Sequence, residues 1–212
     1  DLLLLKPYHD GNKVAIDSWD IAGLKSKVFI DGTINDPSDT DIGWSVEFAI
    51  PWQVLEEAAP NFHPEIGEQW KVNFSRVHWN RDIINGKYVK TKEREYNWVW
   101  SPQGHIYMHI PELWGLVQFE GIKDSSSPVI FKENNIDRVK WALRQVYYQQ
   151  KNYNKKNGVY SKFLEELNLS TSPVENVPWP PKIHITYSGW EASLVWNGST
   201  FYIRKDGLVW IQ

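Results

Sequence analysis

Apolar and polar residues alternate in short runs over roughly the first 120 positions, and the clearest run is "WSVEFAI" (44–50). Trp44, Val46, Phe48 and Ile50 alternate there with Ser45, Glu47 and Ala49, so one side of the segment is apolar. A side-chain period of two belongs to a strand with one covered face. "KVFID" (27–31), "WKVNFSRVHW" (70–79) and "LWGLVQFEG" (113–121) read as strands by the same measure, each bounded by turn residues, and "DLLLLK" at the start also reads as a strand. "IPWQVLEEAAP" puts Pro51 at the first turn of a short helix that stops at or before Pro60. Between Arg81 and Tyr96 the chain is charged and aperiodic, which predicts a loop or an exposed hairpin.

The period changes after "KDSSSPV" (123–129), whose composition is that of a linker. Ile136, Val139, Leu143, Val146, Tyr147 and Tyr153 recur at helical spacing, predicting one amphipathic helix over 135–154. "NKKNG" closes it with basic residues and a glycine, as helix C-termini prefer. "SKFLEELNL" predicts a second, shorter helix. Beyond "PWPP" come three alternating runs, "KIHITYS", "EASLVWN" and "TFYIRKDGLVWI", and the "WNGST" between the last two holds an Asn-Gly hairpin signal. The chain therefore divides into a β domain over 1–121, a linker over 122–133, and a helix-plus-antiparallel-sheet α+β unit over 134–212.

Composition narrows the function. The 23 basic and 26 acidic residues leave a net charge of −3 with no long block of either sign, so a face for a nucleic-acid backbone is not expected. The absence of cysteine rules out disulfides, zinc–thiolate sites and thiol catalysis. No stretch approaches the ~20 apolar residues of a transmembrane helix. The unusual load is 13 Trp and 10 Tyr in 212 residues, which suits a β-rich scaffold that also presents aromatic faces.

"NDPSDTDIGWSVEFAIPWQVL", "WKVNFSRVHWN", "NWVWSPQG" and "PELWGLVQF" follow one another in that order. Together they resemble the C-terminal half of a bacterial family 9-like carbohydrate-binding module, over roughly residues 1–121. The resemblance implies a mainly β fold, a β-sandwich related to DOMON-like domains, that clamps a sugar between two tryptophans and carries structural calcium. It implies non-catalytic binding of an oligo- or polysaccharide in bacterial glycan recognition or degradation, with an extracellular, periplasmic or outer-membrane-associated location. The family domain begins upstream of the first residue here. The chain's own upstream N-terminal segment is therefore expected to complete the sandwich and to supply one clamp tryptophan. Anchored on "SPQG" and "PELWG", the second clamp position falls near Tyr107 or Met108, where this chain has no tryptophan.

A sugar site needs a flat apolar face for the C–H side of the ring and fixed polar groups for its hydroxyls. The candidates are Arg76, Trp79, Asn97, Trp98, Trp100 and Tyr107. Strand alternation sets Trp98 and Trp100 on one face and Asn97 on the other, leaving each tryptophan as either core or platform. Arg76 shares its strand face with Val72 and Phe74, so it is either buried in an ion pair or open to a cleft that Trp79 rims. Trp44, Trp52 and Trp114 read as core. Asp36, Asp39 and Asp41, with Asp31 and Asn35, offer oxygens for a weak structural calcium site without EF-hand spacing, and Asx turns around Pro37 are the favoured explanation of the same residues. No cofactor is otherwise required. Two alternatives remain. One is an electron-transfer sandwich holding haem through Met108, which lies between His105 and His109; the other is an interaction module with no small ligand. Glu47, Glu93, Glu95 and Glu112 are the carboxylates nearest the aromatic motifs, but no GxSxG, P-loop or GxGxxG accompanies them, so the chain reads as non-catalytic.

Overall fold

The computed structural model describes residues 1–4, 15–59, 63–104, 107–121, 129–132 and 134–212. It forms two compact units, one of Asp1–Leu3 with Ile16–Val129 and one of Leu4–Ala15 with Ile130–Gln212. Strand is the commonest regular structure among the described residues, in a mainly β fold with seven antiparallel ladders and one α-helix. None of their helices is long and apolar enough to cross a membrane.

At the start, the described residues form the two-residue strands β1 (Leu3–Leu4) and β2 (Ala15–Ile16); Leu5 and Lys6 of "DLLLLK" lie outside the described residues. In the first unit β3 (Lys25–Asp31) pairs with β4 (Gly43–Ala49), setting Ile30 opposite Trp44 and Val28 opposite Val46 on one apolar face. Pro51 stands one position earlier than its helix-starting role predicted: it is the extended residue before a single 3-10 turn, Trp52–Leu55. The predicted strand over 70–79 is two, β5 (Gln69–Val72) and β6 (Ser75–His78). The charged stretch that follows is a hairpin of β7 (Arg81–Ile84) and β8 (Lys87–Lys90), turned by Asn85 and Gly86 with φ of 53° and 73°. Two successive left-handed residues match the twist of the flanking strands, which is why Asn-Gly sits there.

β9 (Tyr96–Val99) pairs with β6, and β10 (Gly115–Gln118) pairs with β5. Their registers run on from one another. Val99 lies opposite Ser75, the Trp100 N–H donates to the Phe74 carbonyl, and Gly115 lies opposite Val72. Between them the Asn73 amide stands in for ladder bonds, accepting from the Ser101 N–H and donating to the Ser101 carbonyl, both at 3.0 Å. Residues 102–114 leave and rejoin this ladder at that point. A Cβ on Gly115 would come within 2.9 Å of the Ser101 Cβ and 2.8 Å of the Trp100 ring, so glycine is required by space alone.

Ile110 is the one buried apolar residue among the described residues of this unit. Trp44, Val46 and Phe48, whose alternation predicted a covered face, are all exposed, as is Val28 across the ladder. Trp52 and Trp114 are half-buried at most. Trp52 packs edge-on against Trp70 at 5.8 Å and Phe119 at 5.9 Å, and the Trp114 indole donates to the Met108 carbonyl at 2.9 Å.

The second unit has the dense core. Helix α1 (Asn135–Asn157) begins where the Asn134 side chain accepts from the Ile136 N–H, runs three residues beyond the predicted end, and is capped by Gly158, left-handed at φ 75°. Asp137 in the first turn and Lys155 and Lys156 in the last complement the helix dipole. The sheet order is β11 (Lys182–Thr186), β12 (Gly189–Trp196), β13 (Ser199–Arg204), β14 (Val209–Ile211). Val139, Leu143, Val146 and Tyr147 of α1 pack on Ala192, Leu194, Phe201 and Ile203. Two expectations need correction. "SKFLEELNL" is a single turn, because Asn168 goes left-handed (φ 56°) and the Leu169 N–H returns to the Leu164 carbonyl, closing it as a helix end would. "TFYIRKDGLVWI" is two strands, because Asp206 and Gly207 turn the chain back on itself.

Candidate functional site

The site is built on β6 and the hairpin that follows it. Alternation along β6 puts Arg76 and His78 on one face, and the register sets Trp98 opposite Arg76 and Tyr96 opposite His78. Side chains directly opposite in an antiparallel pair are in reach of one another. The Arg76 guanidinium accordingly lies over the Trp98 ring, 4.7 Å from its centroid, with Trp44 at 5.9 Å. His78 stacks on Trp98 at 5.7 Å and 22°. The awkward charge on an apolar strand face is thus resolved by rings and not by a buried carboxylate.

Arg76 Nη2 lies 3.1 Å from His78 Nδ1. A guanidinium only donates, so Nδ1 is the acceptor in this bond. Beyond β6, Trp79 carries Lys90 across its face, with Nζ 2.9 Å from the ring centroid. Trp44, Ser75, Arg76, His78, Trp79, Asn80, Arg81 and Tyr88 line an open groove of about 780 Å³. A space of that size takes a ligand of a few rings.

Of the sequence candidates, Arg76 and Trp79 line this groove, and Trp98 supports Arg76 from beneath. The other three stand apart from it. Asn97 is opposite Val77, on the other side of the ladder from Trp98. Trp100 shares the Trp98 face, as alternation predicted, but packs edge-on against Phe74 at 5.9 Å. Tyr107 lies in the 102–114 excursion, where its carbonyl accepts from Gln103 Nε2 at 2.8 Å. Trp98, Trp100 and Tyr107 are 55%, 54% and 56% exposed, so none of the three is a core residue. Trp44, Arg81 and Tyr88 were not singled out as site residues; the Asn-Gly turn at 85–86 was the one signal for the fold-back that brings Arg81 and Tyr88 in.

In the acidic loop the carboxylates serve local turns. Asp36 accepts from the Ser38 hydroxyl at 2.6 Å and the Ser38 N–H at 2.9 Å, and these bonds hold its carboxyl below the usual aspartate range. Asp41 accepts from the Thr33 N–H at 2.7 Å and Asp39 from the Thr33 hydroxyl at 2.9 Å. Among the described residues no group of three or more His, Asp or Glu side chains is gathered for a metal ion. The Met108 sulfur accepts from Gln103 Nε2 at 3.6 Å, and His105 lies outside the described residues. Glu47 stands across the ladder from Lys27, in keeping with a surface pairing.

No protein-family model, curated protein or solved structure matches the chain.

Proposed function

We propose that the first unit is a non-catalytic carbohydrate-binding domain, a sandwich of the family 9-like type, which grips sugar rings in the β6–β8 groove. The observation that carries this reading is the composition of that groove: Trp44, Trp79 and Tyr88 offer flat faces beside Ser75, Asn80, Arg76 and Arg81. Rings for the C–H side of a sugar and side chains with fixed hydrogen-bonding geometry for its hydroxyls are the two things such a ligand asks for. The mechanism is stacking and hydrogen bonding, with no bond in the ligand broken. The reading carries with it an exported bacterial protein acting on polysaccharide, a weak structural calcium in the acidic loop, and further strands of the same protein covering the exposed β3–β4 face.

A glycan array followed by calorimetry on Trp79→Ala and Trp98→Ala tests it. Trp79→Ala removes a platform and should abolish measurable sugar binding, while Trp98→Ala should weaken it at least tenfold by releasing Arg76. Trp100→Ala, outside the groove, should bind as the parent does. Melting temperatures of all three show whether a loss is of binding or of fold. Sugar binding that survives Trp79→Ala in a folded protein would refute the assignment of this groove.

A further inference from the structure

Resting on the sugar-binding reading, we infer that the groove takes an acidic sugar, one bearing a carboxylate or sulfate group. Its rings are interleaved with cations. Arg76 and Arg81 line it, and Lys90 lies on the face of Trp79. The hairpin register explains the accumulation: Arg81 pairs with Lys90 and Ile83 with Tyr88, while Asp82 pairs with Val89. Alternation therefore sends Arg81, Lys90 and Tyr88 to one face and Asp82 to the other.

Among the described residues no carboxylate lines the groove. The acidic side chain tied to its lining is Glu93, which accepts from the Asn80 amide, and Asp36 meets Tyr88 only through its backbone carbonyl at 3.4 Å. Among the described residues no carboxylate pairs with Arg76, Arg81 or Lys90. The whole chain is acidic, at −3, so the groove runs against the balance of the molecule.

The donor and acceptor inventory points the same way. A sugar hydroxyl both donates and accepts, and sites for neutral sugars need acceptors as well as donors. Guanidinium and ammonium groups only donate. In this groove His78 Nδ1 is already used by Arg76, leaving the Ser75 and Tyr88 hydroxyls and the Asn80 amide oxygen as side-chain acceptors, against two guanidinium groups and one ammonium that carry many more donors. A donor-rich lining suits an acceptor-only group. A carboxylate or sulfate is such a group, and arginine meets either with two parallel bonds.

Calorimetry on the full chain with paired oligosaccharides tests this. The pairs are oligogalacturonate and its methyl ester, oligoglucuronate and its methyl ester, and a sulfated galactan fragment and its desulfated form, with polyglutamate as an anion lacking sugar. The acidic member of at least one pair should bind tenfold or more tighter than its neutral partner, and that ratio should shrink as salt is raised. Arg81→Gln and Lys90→Gln should each lower the ratio several-fold, and the pair that responds tells carboxylate from sulfate. Equal affinity within every pair, a ratio unmoved by both variants, or polyglutamate binding as tightly as the best sugar would each overturn the inference while leaving the sugar reading intact. Binding of none of the sugars would overturn both.

Discussion

Gln150 is the place where a single substitution should most sharply report the second unit's construction. It is fully buried on α1, and its amide reaches across to the backbone of Ser161, donating to the Ser161 carbonyl and accepting from the Ser161 N–H at 3.1 Å. Ser161 is itself buried, so neither of its backbone groups has water to fall back on. Gln150→Leu keeps a side chain of similar size and strands both groups. Each buried polar group left unsatisfied costs about 1–3 kcal/mol, so the pair sums to roughly 2–6 kcal/mol, and the added apolar burial returns about 1 kcal/mol. The net expectation is about 1–5 kcal/mol. For a unit of this size the lower end alone lowers the melting temperature by roughly 4–8 °C. Urea unfolding followed at 222 nm reads this unit selectively, since α1 is the one α-helix among the described residues. Asn152→Leu, on the exposed side of the same helix, should stay within about 0.5 kcal/mol of the parent and serves as the control. A Gln150→Leu protein within 1 kcal/mol of the parent by the same assay would mean that the loop after α1 is not held by this amide, and the energetic reasoning would be wrong.

Calcium binding that favours the native state raises the melting temperature progressively, with the logarithm of its concentration once that exceeds Kd. With the oxygens of Asp36, Asp39 and Asp41 already accepting from Ser38 and Thr33, millimolar calcium should move the transition by no more than a degree or two, and a larger dose-dependent shift would contradict that. The exposed β3–β4 face should bind ANS under native conditions, and Val28→Lys with Phe48→Lys should remove most of that fluorescence; a native chain that leaves ANS dark would show the face to be covered. Asp206 is held below the usual aspartate range first by its bond from Arg204 at 2.9 Å. A depressed carboxyl stabilises the fold above its unfolded pKa of about 3.9, and the contribution is lost as pH falls through the lower folded value. Asp206→Asn should therefore cost at most about 1 kcal/mol at pH 7, because the pair is partly exposed, and nothing near pH 2. An equal loss at both pH values would remove the ion pair from the explanation.

Local periodicity made α1 legible to within three residues, because Val139, Leu143 and Val146 are spaced for a single packed face and Asn134 and Gly158 mark its ends. The same kind of pattern misled at "SKFLEELNL", where helical spacing lasts for one turn before Asn168 reverses the backbone. It also missed the division of the strand at 70–79. Alternation continues straight through Asn73, and only the side-chain amide's substitution for ladder bonds interrupts the strand. Within the site, Arg76 was legible as a charge on an apolar face, and Trp79 as the end of its strand. Trp44 read as core because its strand alternates, yet nothing in an isolated strand says whether a second layer lies over it. Arg81 and Tyr88 depend on a hairpin folding back, a tertiary event that composition reported only as charge. Trp98 and Trp100 share a face as read, but the partner of each, Arg76 for one and Phe74 for the other, is fixed by cross-strand register.

The meeting of Ser101 and Gly115 has a consequence for how this protein can be altered. Ser101 is held by the Asn73 side-chain amide and Gly115 lies opposite Val72, the residue before Asn73, although thirteen residues separate Ser101 and Gly115 in sequence. Residues 102–114 are thus a detour whose two ends nearly touch. Its length sets no register, so it is a natural graft point: a foreign loop or a small binding peptide inserted there would begin and end at the same doorway, and β9 and β10 would remain aligned on β6 and β5.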